Sequence, residues 1–241
     1  MTGAILNAAG ILVGGIVGVS RRGTALAPQT QAFFKTALGA ATVFFGLRLV
    51  WISLEGPPYQ IFKQLAIAMA AVLLGKPLGQ LLHLQKISNR LGQYARVLIA
   101  QAKPGDPQGF ANGLNVCAIL FCAAPLGVLG AVHDGLSGYY QLLAIKGVMD
   151  GLAMMGFVAI FGGSGMMAAF PVFVFQAAIT LACHLYVGPF LERYELLHSV
   201  NAAGGLIVCT VSLVIFEIRK VELADFLPSL AVAPLLTWLW K

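Results

Sequence analysis

Apolar runs long enough to cross a bilayer, separated by short polar breaks, follow one another along the chain. A transmembrane helix needs about 20 predominantly apolar residues. Runs of that kind fall at 3–20, 33–54, 62–82, 111–132, 139–161, 166–190 and 200–218. A further run, 226–240, is shorter and holds Pro228 and Pro234, so it reads as a re-entrant or tilted half-helix. The period-2 alternation of a membrane β-barrel is absent. Helices are then the remaining way to satisfy backbone polar groups in lipid. The expected fold is all-α: a polytopic transmembrane helix bundle of seven spans plus the short C-terminal apolar helix. One integral membrane domain over 1–241 contains it, with spans one to three in 1–83 and spans four to seven in 109–220. Residues 84–108 differ. Leu84, Ile87, Leu91 and Leu98 share one helical face, while Lys86, Arg90, Gln93 and Arg96 lie elsewhere. That predicts a basic amphipathic helix on the cytoplasmic surface, followed by a linker at Lys103–Pro107.

Composition agrees. Of 241 residues, 59% are hydrophobic and 10% charged. Soluble domains carry about 25% charge, so the expected surroundings are a lipid bilayer. The net charge of +6 does not point to nucleic acid, because the basic residues flank the spans and orient them. With the N-terminus outside, Arg21, Arg22, Lys35, Lys86, Arg90, Arg96, Lys103, Arg219 and Lys220 fall on the cytoplasmic side. Lys63 and Arg193 fall outside. Arg48 is near enough to its span's end for its stem to snorkel. Cys117, Cys122, Cys183 and Cys209 lie inside apolar runs and read as small apolar fillers. The N-terminus lacks the cationic region of a signal peptide.

Small residues recur at helical spacing. Gly10, Gly14 and Gly18 share a face, as do Gly39 with Gly46 and Gly75 with Gly79. Such faces let helix backbones approach closely, within one chain or between copies in a homo-oligomer. Asn7 lies beside the first of them, either as interhelical glue or as a ligand on a pathway.

Candidate chemistry concentrates at 109–151. Asn112, Asn115 and Cys122 share a face of the fourth run. Pro125, Gly127 and Gly130 predict a helix break, because proline frees the carbonyl four residues back. His133–Gly138 reads as a turn, in which Asp134 either closes the turn or presents a carboxylate at the mouth of a pathway. Lys146 and Asp150 stand one turn apart on the fifth run, with Asp150 near mid-membrane. A charge there costs at least about 2.5–3.5 kcal/mol on insertion scales, so an intramembrane pair is a functional hypothesis by default. Gln176, Thr180 and His184 form a polar stripe at i, i+4, i+8. Segments opening at Asn7, Asn115 and Asn201 share an Asn-then-Leu pattern, which is compatible with an inverted repeat of spans one to three and four to six.

Several of these segments carry a resemblance. They are Leu120-Phe121-Cys122, Leu126-Gly127-Val128-Leu129-Gly130, Asp134-Gly135, Gly138, Lys146, Asp150-Gly151, Gln176 with Thr180, Gly204-Gly205 and Leu227-Pro228. Through them the chain resembles, over nearly its whole length, a bacterial inner-membrane family of unknown function, the YqgA and YdfK type. That family often has an acidic or amide residue after the glycine matching Gly138, where this chain has Tyr139. The resemblance implies a multi-pass inner-membrane protein, sometimes described as a transporter, with no established substrate.

The expected function is a transporter or channel for a small polar solute or ion. Asp150 would bind a cation or shuttle a proton, and Lys146 would tune it or compete with it. Asn115, Gln176, Thr180 and His184 would line the route. A membrane scaffold is the alternative, since glycine faces serve packing equally well. An intramembrane enzyme is disfavoured because HExxH, CxxC and GxSxG spacings are missing. No cofactor or metal is expected.

Overall fold

The computed structural model describes residues 1–21, 24, 26–101 and 109–240. Arg22, Lys103 and the linker expected at Lys103–Pro107 lie outside the described residues. Among those described there is helix and no strand. The α-helices are α1 (Thr2–Ser20), α2 (Pro28–Trp51), α3 (Pro58–Leu81), α4 (Leu84–Gln101), α5 (Gly109–Ala123), α6 (Pro125–Ser137) and α7 (Gln141–Phe161). They continue with α8 (Ala169–Ala182), α9 (Gly188–Arg193), α10 (Leu197–Ile215) and α11 (Ser229–Leu239). Five helical stretches are long and apolar enough to cross a membrane, or six if the bent pair α5 and α6 is one span. The stretch Gln141–Arg193 counts once there although it runs for 53 residues. Exposed side chains are large and apolar, Phe62, Leu73 and Phe170 among them. Surfaces of that kind suit lipid rather than water.

The predicted break in the fourth run is real. α5 stops at Ala123, Ala124 is extended, and Pro125 opens α6, with the two axes bent by 62°. Proline suits the first helical position because its missing N–H would be unpaired there anyway. The next expectation needs correction. His133–Gly138 is no turn: α6 continues through His133, Asp134 and Ser137 and stops at Gly138, whose φ of 66° is left-handed. Gly138 is thus a helix C-cap, and the Tyr139 N–H returns to the His133 carbonyl at 3.1 Å. α7 ends at Gly162, φ 63°, and a 3-10 segment, Gly162–Ala168, leads into α8.

The chain divides into two compact units. The first comprises 1–31, 87–134 and 138–181, and the second 32–86, 135–137 and 182–241. In the first, α1 lies along α7. Gly10 faces Gly147 and Gly14 faces Gly151 so closely that a Cβ on either α1 glycine would strike the α7 backbone. Ile11, Cys117, Phe121, Met154, Val158 and Val172 pack beside this seam. The amphipathic α4 covers α5 in the same unit. Its Ala95 is buried with Val116 and Phe161, and the Ser88 hydroxyl donates to the Ala123 carbonyl at 3.2 Å. Ile87, Leu91, Tyr94 and Val97 of α4 stay exposed.

In the second unit α2 meets α10 at Gly46 and Gly205, again nearly backbone to backbone. The C-terminal segment is the short apolar helix expected, with 11 residues in α11. Gly79 abuts Asp225, Gly75 abuts Ser229, and Lys63 Nζ donates to the Trp240 carbonyl at 2.5 Å. Residues 225–240 therefore run antiparallel along α3 for roughly 24 Å at helical rise. Alanines make this possible: Ala68 and Ala71 of α3, Ala202 and Ala203 of α10, and Ala233 of α11 share one core.

Candidate functional site

Close approach of α1 to α7 sets Asn7 beside Gly147, one turn from the ion pair. Lys146 and Asp150, four residues apart on α7, bond directly to each other. Lys146 is 2% exposed and Asp150 is 7% exposed. The Lys146 ammonium also stands 5.7 Å from the centre of the Phe121 ring, the geometry of a cation–π contact. α6 supplies the next wall. A Cβ on Gly127 would come within 2.9 Å of Lys146 Cε and 3.4 Å of Gln176 Nε2, so lysine stem and glutamine amide converge on one bare backbone position. Beyond its place at the predicted break, Gly127 leaves room for Lys146.

Five helices thus contribute to one buried polar cluster: α1 (Asn7), α5 (Phe121), α6 (Gly127), α7 (Lys146, Asp150) and α8 (Gln176). Asn7 and Gln176 are both completely buried. The Gln176 amide has no hydrogen-bond partner, and the Asn7 amide has only the neighbouring Asp150 carboxylate to meet. A buried polar group left unpaired costs about 1–3 kcal/mol, and native interiors hold few of them. In this medium the carboxylate and ammonium satisfy each other's charge, while two amides retain unused donors and acceptors.

The other expected site residues lie differently. Thr180 is buried on α8, with its hydroxyl donating to the Ala131 carbonyl at 3.1 Å. It fastens α8 to α6. Gly130 serves packing, for a Cβ there would press on Leu143. Asp134 closes no turn, since it lies within α6. Its buried carboxylate accepts from the Gly3 N–H at 3.1 Å and pairs with the Met1 amine at 3.1 Å. An anion there satisfies the first amides of α1 and complements its dipole. Asn115 is exposed, because α5 turns Gly113, Val116, Cys117 and Phe121 inward instead. His184 is exposed too. It sits in a π-helical segment, Cys183–Val187, whose wider turn ends the four-residue spacing of the stripe. The segments at Asn7, Asn115 and Asn201 are not equivalent: Asn7 and Asn201 are buried and Asn115 is not. All four cysteines are free thiols. No three of His, Cys, Asp and Glu among the described residues gather closely enough to hold a metal.

Sequence reasoning missed a second polar locus, in the second unit. A cavity of about 600 Å³ is lined by Glu55, Tyr59, Gln60, Glu195 and His198, among others. The signal was present in the short polar breaks at 55–60 and 192–198, since loops on a rigid scaffold often carry function.

A family profile described as a protein of unknown function, DUF554, matches residues 2–238. The chain belongs to this family. Within it, the chain is similar to the uncharacterized membrane protein YdfK of Bacillus subtilis, at 26% identity over 97% of this chain and 94% of the relative. It is equally similar to the uncharacterized protein YqgA of Escherichia coli, at 26% identity over 99% and 97% of the two chains. No solved structure matches significantly. The family resemblance read from Leu126–Gly130, Lys146 and Asp150-Gly151 thus holds along the whole DUF554 chain. Its membrane character agrees with the name of the Bacillus subtilis relative and with the apolar helices.

Proposed function

We propose that this protein moves a small polar solute or an ion across the bacterial inner membrane. One observation carries the proposal: an ion pair and two buried amides, one of them unpartnered, are gathered at a helix break inside apolar helices. Discontinuous helices with ionisable groups at membrane depth are how transporters build binding sites. The sealed cluster is then an occluded state. Asp150 and Gln176 contact the solute and Asn7 completes the site from across the seam.

The topology we infer has seven crossings, with the Gln141–Arg193 stretch crossing twice around Gly162 and α5 with α6 crossing once. The N-terminus is outside, by the excess of lysine and arginine at the cytoplasmic ends. The test is uptake of a solute panel into liposomes by the purified protein and by Asp150→Asn. Loss of flux in the variant is expected, and unchanged flux would remove Asp150 from the mechanism.

One feature favours a non-transporting scaffold instead, namely that Lys146 already satisfies Asp150. Replacing a buried pair by apolar or neutral groups is often stabilising by about 1–4 kcal/mol. A Lys146→Met/Asp150→Asn double variant that gains stability and keeps its cellular phenotype would select that reading.

A further inference from the structure

The seat of the Lys146 ammonium holds more than neutralising Asp150 requires. The carboxylate is matched by one ammonium. Around them lie the Phe121 ring at 5.7 Å and two completely buried amides: Gln176, with no partner of its own, and Asn7, which meets the Asp150 carboxylate and whose carbonyl oxygen has no donor. Each amide carries a carbonyl oxygen with two lone pairs, and lysine uses neither. An ammonium lodged among unused acceptors is what a cation site looks like when a side chain of the same chain fills it.

We propose that this seat binds a dehydrated monovalent inorganic cation through the Asp150 carboxylate and the side-chain carbonyls of Asn7 and Gln176, with Lys146 as its tethered competitor. The proposal rests on the transport reading and names its solute class. Two arguments select the class. Carboxylate and amide oxygens are hard ligands, suited to hard cations. One carboxylate balances one positive charge, whereas a divalent ion would leave a net charge in a medium that penalises it heavily. Lysine can yield the seat because its charge rides on a flexible four-carbon stem. Gly127 presents no side chain to that stem, which lies directly against bare α6 backbone, so no neighbouring side chain of α6 has to repack at that position when the stem moves. Binding then requires Lys146 to withdraw, and the apparent affinity is lowered by the fraction of time it stays in place.

The experiment uses the full chain in detergent or nanodiscs. Thermal unfolding is followed in lithium, sodium, potassium or caesium chloride against choline chloride at constant ionic strength. The expected result is a saturable rise in Tm with a small inorganic cation and none with choline. Lys146→Met lowers the half-effective cation concentration about tenfold or more, the factor expected if the lysine holds the seat nine-tenths of the time. Asp150→Asn abolishes the response and Gln176→Leu weakens it. If Lys146→Met does not fold, Lys146→Gln serves. The proposal is overturned if neither the native chain nor the lysine variant distinguishes any inorganic cation from choline, or if Asp150→Asn keeps the response. Liposome uptake separates the two claims. Asp150-dependent flux of an uncharged solute without ion-specific stabilisation removes the cation site and leaves transport standing. Ion-specific stabilisation without flux keeps the site and removes transport.

Discussion

Polar side chains gather in both units, but under opposite physical conditions. In the first unit Asn7, Lys146, Asp150 and Gln176 are sealed behind a glycine seam. In the second, Glu55 and Glu195 are exposed and line an open cavity with the half-buried His198. Two unit charges 4 Å apart interact by about 1 kcal/mol in water and by several times that in a protein interior. The same residue types are therefore nearly interchangeable in the cavity and tightly constrained in the cluster. The cluster's geometry is set by backbone contact, whereas the cavity's is set by side chains at helix ends.

That contrast can be broken or sharpened by substitution. The largest effect is expected at the seam. Gly14→Leu would drive a side chain into the Gly151 backbone, and the helices would have to part. Overpacking alone costs about 1–3 kcal/mol, and separating two backbones exceeds it, so the expected outcome is loss of folded protein by size-exclusion profile and yield. Next comes Lys146→Met, which leaves a buried carboxylate unpaired at about 3–5 kcal/mol. Thermal unfolding should show most of that loss recovered in Lys146→Met/Asp150→Asn. If the single variant is as stable as the native chain, the cluster is wet and the contrast between the units fails. Asp134→Asn removes the anion at the start of α1 and should cost about 1 kcal/mol, up to roughly 2 for its buried setting. The smallest effect is expected in the cavity, where His198→Ala should change stability by no more than about 0.5 kcal/mol. A larger loss there would mean the second unit also depends on its polar groups.

Much of the fold could be read from hydrophobic runs, because in lipid the backbone has few alternatives to helix. The break at Pro125 was legible for the same reason, since a missing N–H is a covalent fact. The Lys146/Asp150 pair was legible from i, i+4 spacing. What failed were inferences that needed a helix's neighbours. The His133–Gly138 segment has turn-forming residues, yet Asp134 is held in helix where its carboxylate meets the first amides of α1, a partner 131 positions away. Asn115 shared a face with Cys122, but α5 buries whichever side is narrow enough at Gly113 to meet Phe161 and Ser164. His184 followed a regular stripe until a π turn, which no spacing rule foretells, rotated it away. The C-terminal run is the short helix its length predicted, and only its course along α3, set by the small residues that receive it, was out of reach.

The contact of Gly10 and Gly14 with Gly147 and Gly151 has a mechanical consequence. Interlocked side chains resist translation, because each knob must climb out of its hole. At these four positions the two ribbons meet without knobs, while Leu143 against Gly3 and Ile11 with Met154 key the helices on either side. Asn7 rides on one ribbon while Lys146 and Asp150 ride on the other. The register of this backbone contact therefore decides whether the asparagine meets the carboxylate, and a shift of a fraction of a turn would part them.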